Sequence, residues 1–237
     1  MPERRPAAAE AAREQAWNQA RLRGPPSRPR WRTWRYRAPA VVLGAGQAEL
    51  ADAAAVGAAA QGVAVLRRRA GGGAVLVGPW MLGLSVVLPA AHAHARGGPL
   101  PAYRWLGEAL AAALTEMVQA PCRSVPPGEL APGERAARDW ACFGAMAPWE
   151  VACGGRKICG LAQVRTRDAV LLVGGVLLQA PDWELLCRVL GQPASEARRL
   201  RGATCDCASL APGGMDAGRL HQGVRTALAR SLRQAPA

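Results

Sequence analysis

Apolar positions along the chain switch between a helical and an alternating period. From Tyr103 to Gln119, Leu106, Leu110, Leu114 and Met117 or Val118 line one face, as in an amphipathic helix. From Asp216 to Leu232, Leu220, Val224, Leu228 and Leu232 do the same behind an Asp216 cap. Ala7 to Arg23 reads as an Ala/Arg/Glu helix with a thin stripe of Trp17 and Leu22, stopped by Gly24-Pro25-Pro26. Shorter helices are expected at Ala48–Gln61, Asp182–Leu190 with an Asp182 cap, and Ala194–Leu200. Arg28–Arg37 alternates arginine with Trp31, Thr33, Trp34 and Tyr36, the pattern of a strand with one polar face. Ala40–Gly44, Gly62–Leu66 and Leu82–Leu88 read as apolar strands. Trp149–Cys153, Lys157–Arg165 and Ala169–Leu178 follow one another across short turns, which predicts an antiparallel meander. A Pro/Gly loop is expected at Ser124–Gly133. Clustered strands with helices before and after them predict an α+β fold, not a doubly wound sheet.

A chain of 237 residues can bury a full core, and no repeat or linker divides it, so one domain over 1–237 is expected, with residues 1–30 as a basic helix and linker. No uncharged apolar run reaches the about 18 residues of a membrane span. The N-terminus lacks the apolar core of a secretory signal. Seven cysteines without a spacing framework are therefore expected as reduced thiols in a cytoplasm. The net charge of +13 is concentrated at the two ends: residues 1–37 carry ten Arg and three Glu, and residues 188–237 eight Arg and three acids. One Phe and two Tyr supply a base-stacking platform poorly. This weakens a nucleic-acid reading, and an acidic protein partner explains the charge equally well.

Three features carry candidate chemistry. Lys157 is the single lysine beside 29 arginines; a compact ammonium is what such an exception retains, unless it is drift. Arg67-Arg68-Arg69-Ala70-Gly71-Gly72-Gly73-Ala74-Val75 is not a phosphate-binding P-loop, because it lacks Gly-Lys-Ser/Thr and leads into a strand. Its three bare positions would let a ligand lie against the backbone, or make a tight bend. Cys142 and Cys159 flank Lys157 in sequence, and strict alternation would put Cys159 on the lysine's face. Either is a nucleophile or a small core thiol. His92 and His94 lie in a Pro/Gly-bounded loop, and Cys205-Asp206-Cys207 has only Cys187 near it, so neither makes a zinc site.

Arg67–Val75 taken with Gly155-Arg156-Lys157-Ile158-Cys159-Gly160-Leu161-Ala162-Gln163 resembles the biotin/lipoate protein ligase superfamily, on its lipoate side. That superfamily pairs an RR-x-(Ser/Thr)-GGG-A-V motif with a single lysine in G-(Arg/Lys)-K-(Ile/Val)-x-G-x-A. Ala40–Gln47, with Gly44 and Gln47, resembles its preceding strand, and the helix around Trp17 its opening helix. The resemblance covers about residues 10–210. It implies a domain like those of class II aminoacyl-tRNA synthetases and biotin ligases, with a mixed, mostly antiparallel sheet packed with helices.

The resemblance implies protein lipoylation by one of two routes. A ligase activates lipoate with ATP and Mg. An octanoyl- or lipoyltransferase needs no cofactor: it takes the acyl group from a carrier such as acyl carrier protein onto a cysteine, then onto a lysine of a lipoyl-domain or glycine-cleavage-H-type acceptor. Ala70 replaces the family's hydroxyl residue, and Leu76–Met81 lacks its His-Asp and Asn, which favours the transferase. A non-catalytic lipoyl-domain binder on the same fold is the further alternative. Cys142, 15 residues before the lysine, resembles the nucleophile position of one transferase branch. The implied site is Lys157 and Cys142 as catalytic residues, with Arg67, Arg68, Gly71, Gly72, Gly73, Ala74, Gln47, Gly160, Ala162 and Gln163 binding substrate and no metal. The triglycine is expected along a pocket that Lys157 enters. No C-terminal accessory domain is expected after the lysine motif.

Overall fold

The helical and alternating segments separate into layers as their apolar faces demand. The computed structural model describes residues 8–130, 140–211, 214 and 216–234. The first seven residues of the basic N-terminus and the 131–133 end of the expected loop lie outside these. The elements in chain order are α1 (Ala9–Arg21), β1 (Arg30–Arg35), β2 (Ala40–Leu43), a 3-10 turn (Ala48–Leu50) running into α2 (Ala51–Gln61), β3 (Ala64–Arg67), β4 (Val75–Val77) and β5 (Met81–Pro89). They continue with α3 (Pro99–Val118), β6 (Cys122–Ser124), β7 (Val151–Cys153), β8 (Arg156–Arg165), β9 (Ala169–Leu177), α4 (Trp183–Val189), α5 (Ala194–Ala203), α6 (Cys207–Leu210) and α7 (Ala217–Arg233). Helix α3 starts four residues before Tyr103, with Pro99 as its first residue, where a missing N–H costs nothing. Strands β4 and β6 are too short to show a period.

Six strands form an antiparallel sheet in the order β1-β5-β9-β8-β7-β6, and β3-β2-β4 form a second sheet in which β2 runs parallel to β3. The meander β7-β8-β9 occupies neighbouring places, as alternation predicts. One face of the large sheet shows Leu82, Leu84, Val86, Val170, Leu172 and Leu161 to α3 and α7, whose Leu106, Leu110, Leu114, Leu220, Val224 and Leu228 complete one core. Each such fully buried side chain contributes roughly 1.5–3 kcal/mol. The opposite face meets α1 and the small sheet around Val41, Leu43, Leu76, Met81, Phe143 and Trp183.

Two local features of the large sheet prepare the site. Gly83 of β5, Gly175 of β9 and Gly160 of β8 stand in one row across three strands. This leaves a strip of the second face without side chains. Between β7 and β8 the register slips: Val151 pairs with Cys159 but Ala152 with Lys157. The extra residue is a β-bulge, which re-aims the residues beyond it.

Candidate active site

Lys157 is 2% exposed, and its ammonium is saturated. It donates to the carbonyl oxygens of Cys142 at 2.5 Å and Ala145 at 3.0 Å, and it pairs with Glu150 Oε2 at 2.5 Å. Three donors meet three acceptors, a fit for a tetrahedral ammonium and not for a planar guanidinium. Glu150, 1% exposed, also accepts from the Ala147 N–H at 2.7 Å and the Leu161 N–H at 2.9 Å. The pair therefore ties the Cys142–Glu150 loop to β8. Burial pushes against the charged amine, but the Glu150 carboxylate outweighs it and Lys157 is held at a raised pKa. Glu150 reaches this place because Trp149 adopts φ 67°. It also needs Gly107 of α3, where a Cβ would stand 2.0 Å from the Trp149 carbonyl oxygen.

The bulge decides which thiol shares the lysine's side of the sheet. Cys159 pairs with Val151 and lies in the core under α3, whereas Lys157 pairs with Ala152 on the other face. The alternation expected for Cys159 fails because β8 carries one extra residue. Burial pushes the Cys159 thiol up, with the Glu150 charge adding to the effect. Cys142 is half-buried on the lysine's side. A Cβ on residue 160 would stand 3.4 Å from Cys142 Sγ, 3.3 Å from Lys157 Cε and 3.4 Å from Phe143 Cζ. The thiol and the lysine stem thus flank the end of the glycine strip. The Phe143 ring centre is 5.2 Å from the ammonium. Cys142 N–H donates to Ala74 O at 2.9 Å, and Ala74 N–H to Trp140 O at 2.8 Å, so the residue after the triglycine anchors the thiol segment.

From Cys142 a pocket runs over the glycine strip, lined by Phe143, Gly160, Ala162, Val173, Gly175 and Met81. Its walls also include Glu14, Asn18, Tyr36 and Arg68. Tyr36 fills the space a Cβ of Gly83 would take, its Oη 2.0 Å from that point, so it closes the strip at the end away from the thiol. Its hydroxyl donates to Glu14 Oε2 at 2.7 Å. Burial pushes the Glu14 carboxyl up to about 7, against the Tyr36 hydrogen bond and the Arg68 charge. Burial also raises Tyr36 well above its ordinary value, with the neighbouring Glu14 adding to it. Asn18 Oδ1 and Arg68 Nε are buried without a hydrogen-bond partner. An unsatisfied buried polar atom costs about 1–3 kcal/mol.

The sequence-nominated residues divide into several groups. Cys142, Arg68, Gly160 and Ala162 line the cavity, and Lys157 lies beside it. Gly71 and Gly73 turn their carbonyls onto Arg68 Nη2 at 2.8 and 2.7 Å, while Nη1 reaches Val42 O at 3.2 Å. The triglycine thus wraps a guanidinium, and the cavity wall runs past it. Gln47 accepts from the Gly44 N–H at 3.0 Å and donates to Trp140 O at 2.9 Å, joining the end of β2 to the thiol segment. Arg67 is exposed on β3, and Gln163 donates outside the cavity to Pro99 O at 3.0 Å. Among the described residues no three His, Cys, Asp or Glu side chains gather as a metal site. His94 instead stacks on Trp105 at 4.5 Å. No helix among them is long and apolar enough to cross a membrane. Glu150, Glu14, Tyr36 and Asn18 were not nominated. Glu150 had a signal: a lone lysine in an apolar strand requires a counter-charge, and Trp149-Glu150-Val151 holds an acid in an otherwise apolar run.

The fold thus sets a buried lysine and a half-buried cysteine together at one end of a glycine-floored cavity. Residues 6–211 match the Lipoyl protein ligase A/B catalytic domain, and the chain belongs to that family. It is 36% identical over 143 residues to the octanoyltransferase LipM of Moorella thermoacetica, covering 59% of this chain and 49% of that protein. It is 31% identical over 172 residues to LipM of Symbiobacterium thermophilum, covering 70% and 59%. The matched segment thus spans about half to three-fifths of these relatives. Among solved structures, the bi-partite lipoate protein ligase of Thermoplasma acidophilum, studied with its E2 lipoyl domain, superposes with a TM-score of 0.69. That match has 18% identity and covers 97% of this chain and 81% of the other. A lipoate-protein ligase A bound with ATP gives 0.67 at 19% identity, covering 92% and 79%. At such identities these likenesses bear on the fold alone.

Proposed function

We propose that the chain is an acyltransferase that carries an octanoyl or lipoyl group as a thioester on Cys142 and passes it to a lysine of a lipoyl-domain-type acceptor. The observation that carries this reading is Cys142 at one end of an apolar, glycine-floored cavity, beside Lys157. The Cys142 thiolate would attack the carbonyl carbon of an acyl thioester, forming the new C–S bond as the donor's thiolate leaves. The acceptor's neutral amine would then attack the same carbon, forming an amide, losing its proton and releasing the Cys142 thiolate. Lys157 supports both steps by fixing the Cys142 carbonyl, and with it the segment that carries the thiol. A thioester donor is already activated, so the reaction draws on no ATP. Leu76, Val77 and Met81, buried where ATP-using members of the family resemblance carry polar residues, fit that reading.

Intact mass after incubation with an octanoyl carrier thioester tests it. The expected product carries one hydroxylamine-sensitive octanoyl group, which Cys142→Ser abolishes and Cys159→Ser retains. Acyl transfer by Cys142→Ser at the unmodified rate would sink the covalent mechanism. Lipoate-dependent pyrophosphate release would put the ATP route in its place.

A further inference from the structure

Lys157 holds the carbonyls of Cys142 and Ala145 from β8. A second set of charged side chains holds the same segment from α5. Ala197 and Leu200 bury one face of α5 in the core. Glu196 and Arg199, one turn apart, share another face. Glu196 Oε2 accepts from the Trp140 indole N–H at 2.7 Å. Arg199 donates to the same oxygen through Nε at 2.9 Å and Nη2 at 2.7 Å, and its Nη1 donates to Gly144 O at 2.8 Å. Trp140 and Gly144 lie two residues to either side of Cys142. The Arg199 and Glu196 side chains are 38% and 24% exposed, so as an ion pair alone they would contribute little. Yet they reach two residues 55 and 56 positions away in the chain, and those two bracket one thiol. The Arg199 hydrogen bonds, and after them the Trp140 indole, hold the Glu196 carboxyl below its ordinary value, which keeps it a charged acceptor.

We propose that Glu196 and Arg199 are positioning residues for Cys142. They fix both ends of the turn that Gly144 N–H closes onto Ala141 O at 3.0 Å, and so aim the thiol at the glycine strip. The inference rests on reading Cys142 as the thiol that carries the acyl group. Without the pair, the segment keeps its bonds to Lys157 and Ala74 but loses its tethers to α5. A misplacement of about 1 Å at a reacting atom can cost roughly 10²-fold in rate.

Single-turnover acylation by an octanoyl carrier thioester, followed by intact mass, tests this in Glu196→Ala, Arg199→Ala and Glu196→Gln. Both alanine variants should acylate at least about tenfold more slowly at saturating thioester, with half-saturation within about twofold of the unmodified chain and an unchanged melting transition. Glu196→Gln keeps an oxygen for the indole and the guanidinium, so it should recover most of the rate. Alkylation of Cys142 by iodoacetamide, which has no acyl chain to align, should not slow in parallel. An undiminished acylation rate in the alanine variants, a change confined to half-saturation, equal slowing of alkylation, or Glu196→Gln as slow as Glu196→Ala overturns the positioning role and leaves the thioester mechanism standing. If one alanine variant does not fold, the other decides; if neither folds, the pair is a folding element and the proposal falls. No acylation of Cys142 in the unmodified chain removes the thioester mechanism, and the positioning role with it.

Discussion

Glu14→Gln should change how the stability of this chain depends on pH, by an amount the site itself sets. The Glu14 carboxyl is fully buried and its pKa rises from 4.5 to about 7, chiefly through burial. Its folded-state pKa lies above its unfolded one, so the folded state binds the extra proton between those two values. Stability from this group is then fully present below about pH 4.5 and is lost as pH rises through about 7. A shift of about two and a half units corresponds to roughly 3 kcal/mol at 1.36 kcal/mol per unit. Glutamine can still accept the Tyr36 hydroxyl but has no proton to lose. The variant should match the unmodified chain near pH 4 and exceed its stability by up to about 3 kcal/mol near pH 8. Exposed carboxylates such as Glu184 and Glu196, whose pKa values their arginine partners lower, are common to both chains and cancel in the difference. Urea denaturation at several pH values between 4 and 8 measures it. A difference that stays flat across that range would show that Glu14 is solvated and that the cavity end is wet and open.

Removing the ammonium with Lys157→Met leaves a carboxylate at a 1% exposed position without its cation and should cost about 3–5 kcal/mol. Adding Glu150→Leu should restore part of that loss, and a double-mutant cycle in denaturation reads the coupling. Lys157→Arg should also be destabilised, because three acceptors around one Nζ do not match a planar fork; stability equal to the unmodified chain would refute the clamp. Gly83→Ala sets a Cβ 2.0 Å from Tyr36 Oη, whereas Gly175→Ala meets the Met81 sulfur at 2.8 Å on a flexible side chain. Thermal melts should therefore show the larger loss for Gly83→Ala.

What the sequence made legible was whatever leaves a local trace. Leu106, Leu110 and Leu114 announce α3 because helix and burial share one period. The short turns between residues 149 and 178 announce the meander. The strand lost to a sequence reading is β6, three residues long, which exists because β7 pairs with it. Within the site, the glycines and the lone lysine stand out because each is a departure in residue type. Glu14, Tyr36 and Asn18 do not, since an acid and an amide on an Ala/Arg/Glu helix read as its solvated face. Only the approach of α1 to the large sheet makes them interior.

The β7–β8 bulge shows most sharply why a motif underdetermines a site. Lys157, Cys159 and Gly160 fall within four residues of one strand, and a regular strand would put the first two together and the third opposite. The added residue reverses this: Gly160 comes to the lysine's side and Cys159 goes to the core. The side of the sheet that receives a thiol is therefore settled by β7, a strand whose register no sequence period records. Cys142 occupies the vacated neighbourhood for a second non-local reason. Its segment is held by Ala74 and by the carbonyls that Lys157 captures. The bare Gly160 matters because a Cβ there would crowd Cys142, Phe143 and the lysine stem at once. The same residue types at the same spacing, on a β8 without the bulge, would present Cys159 and a side-chain wall to this cavity.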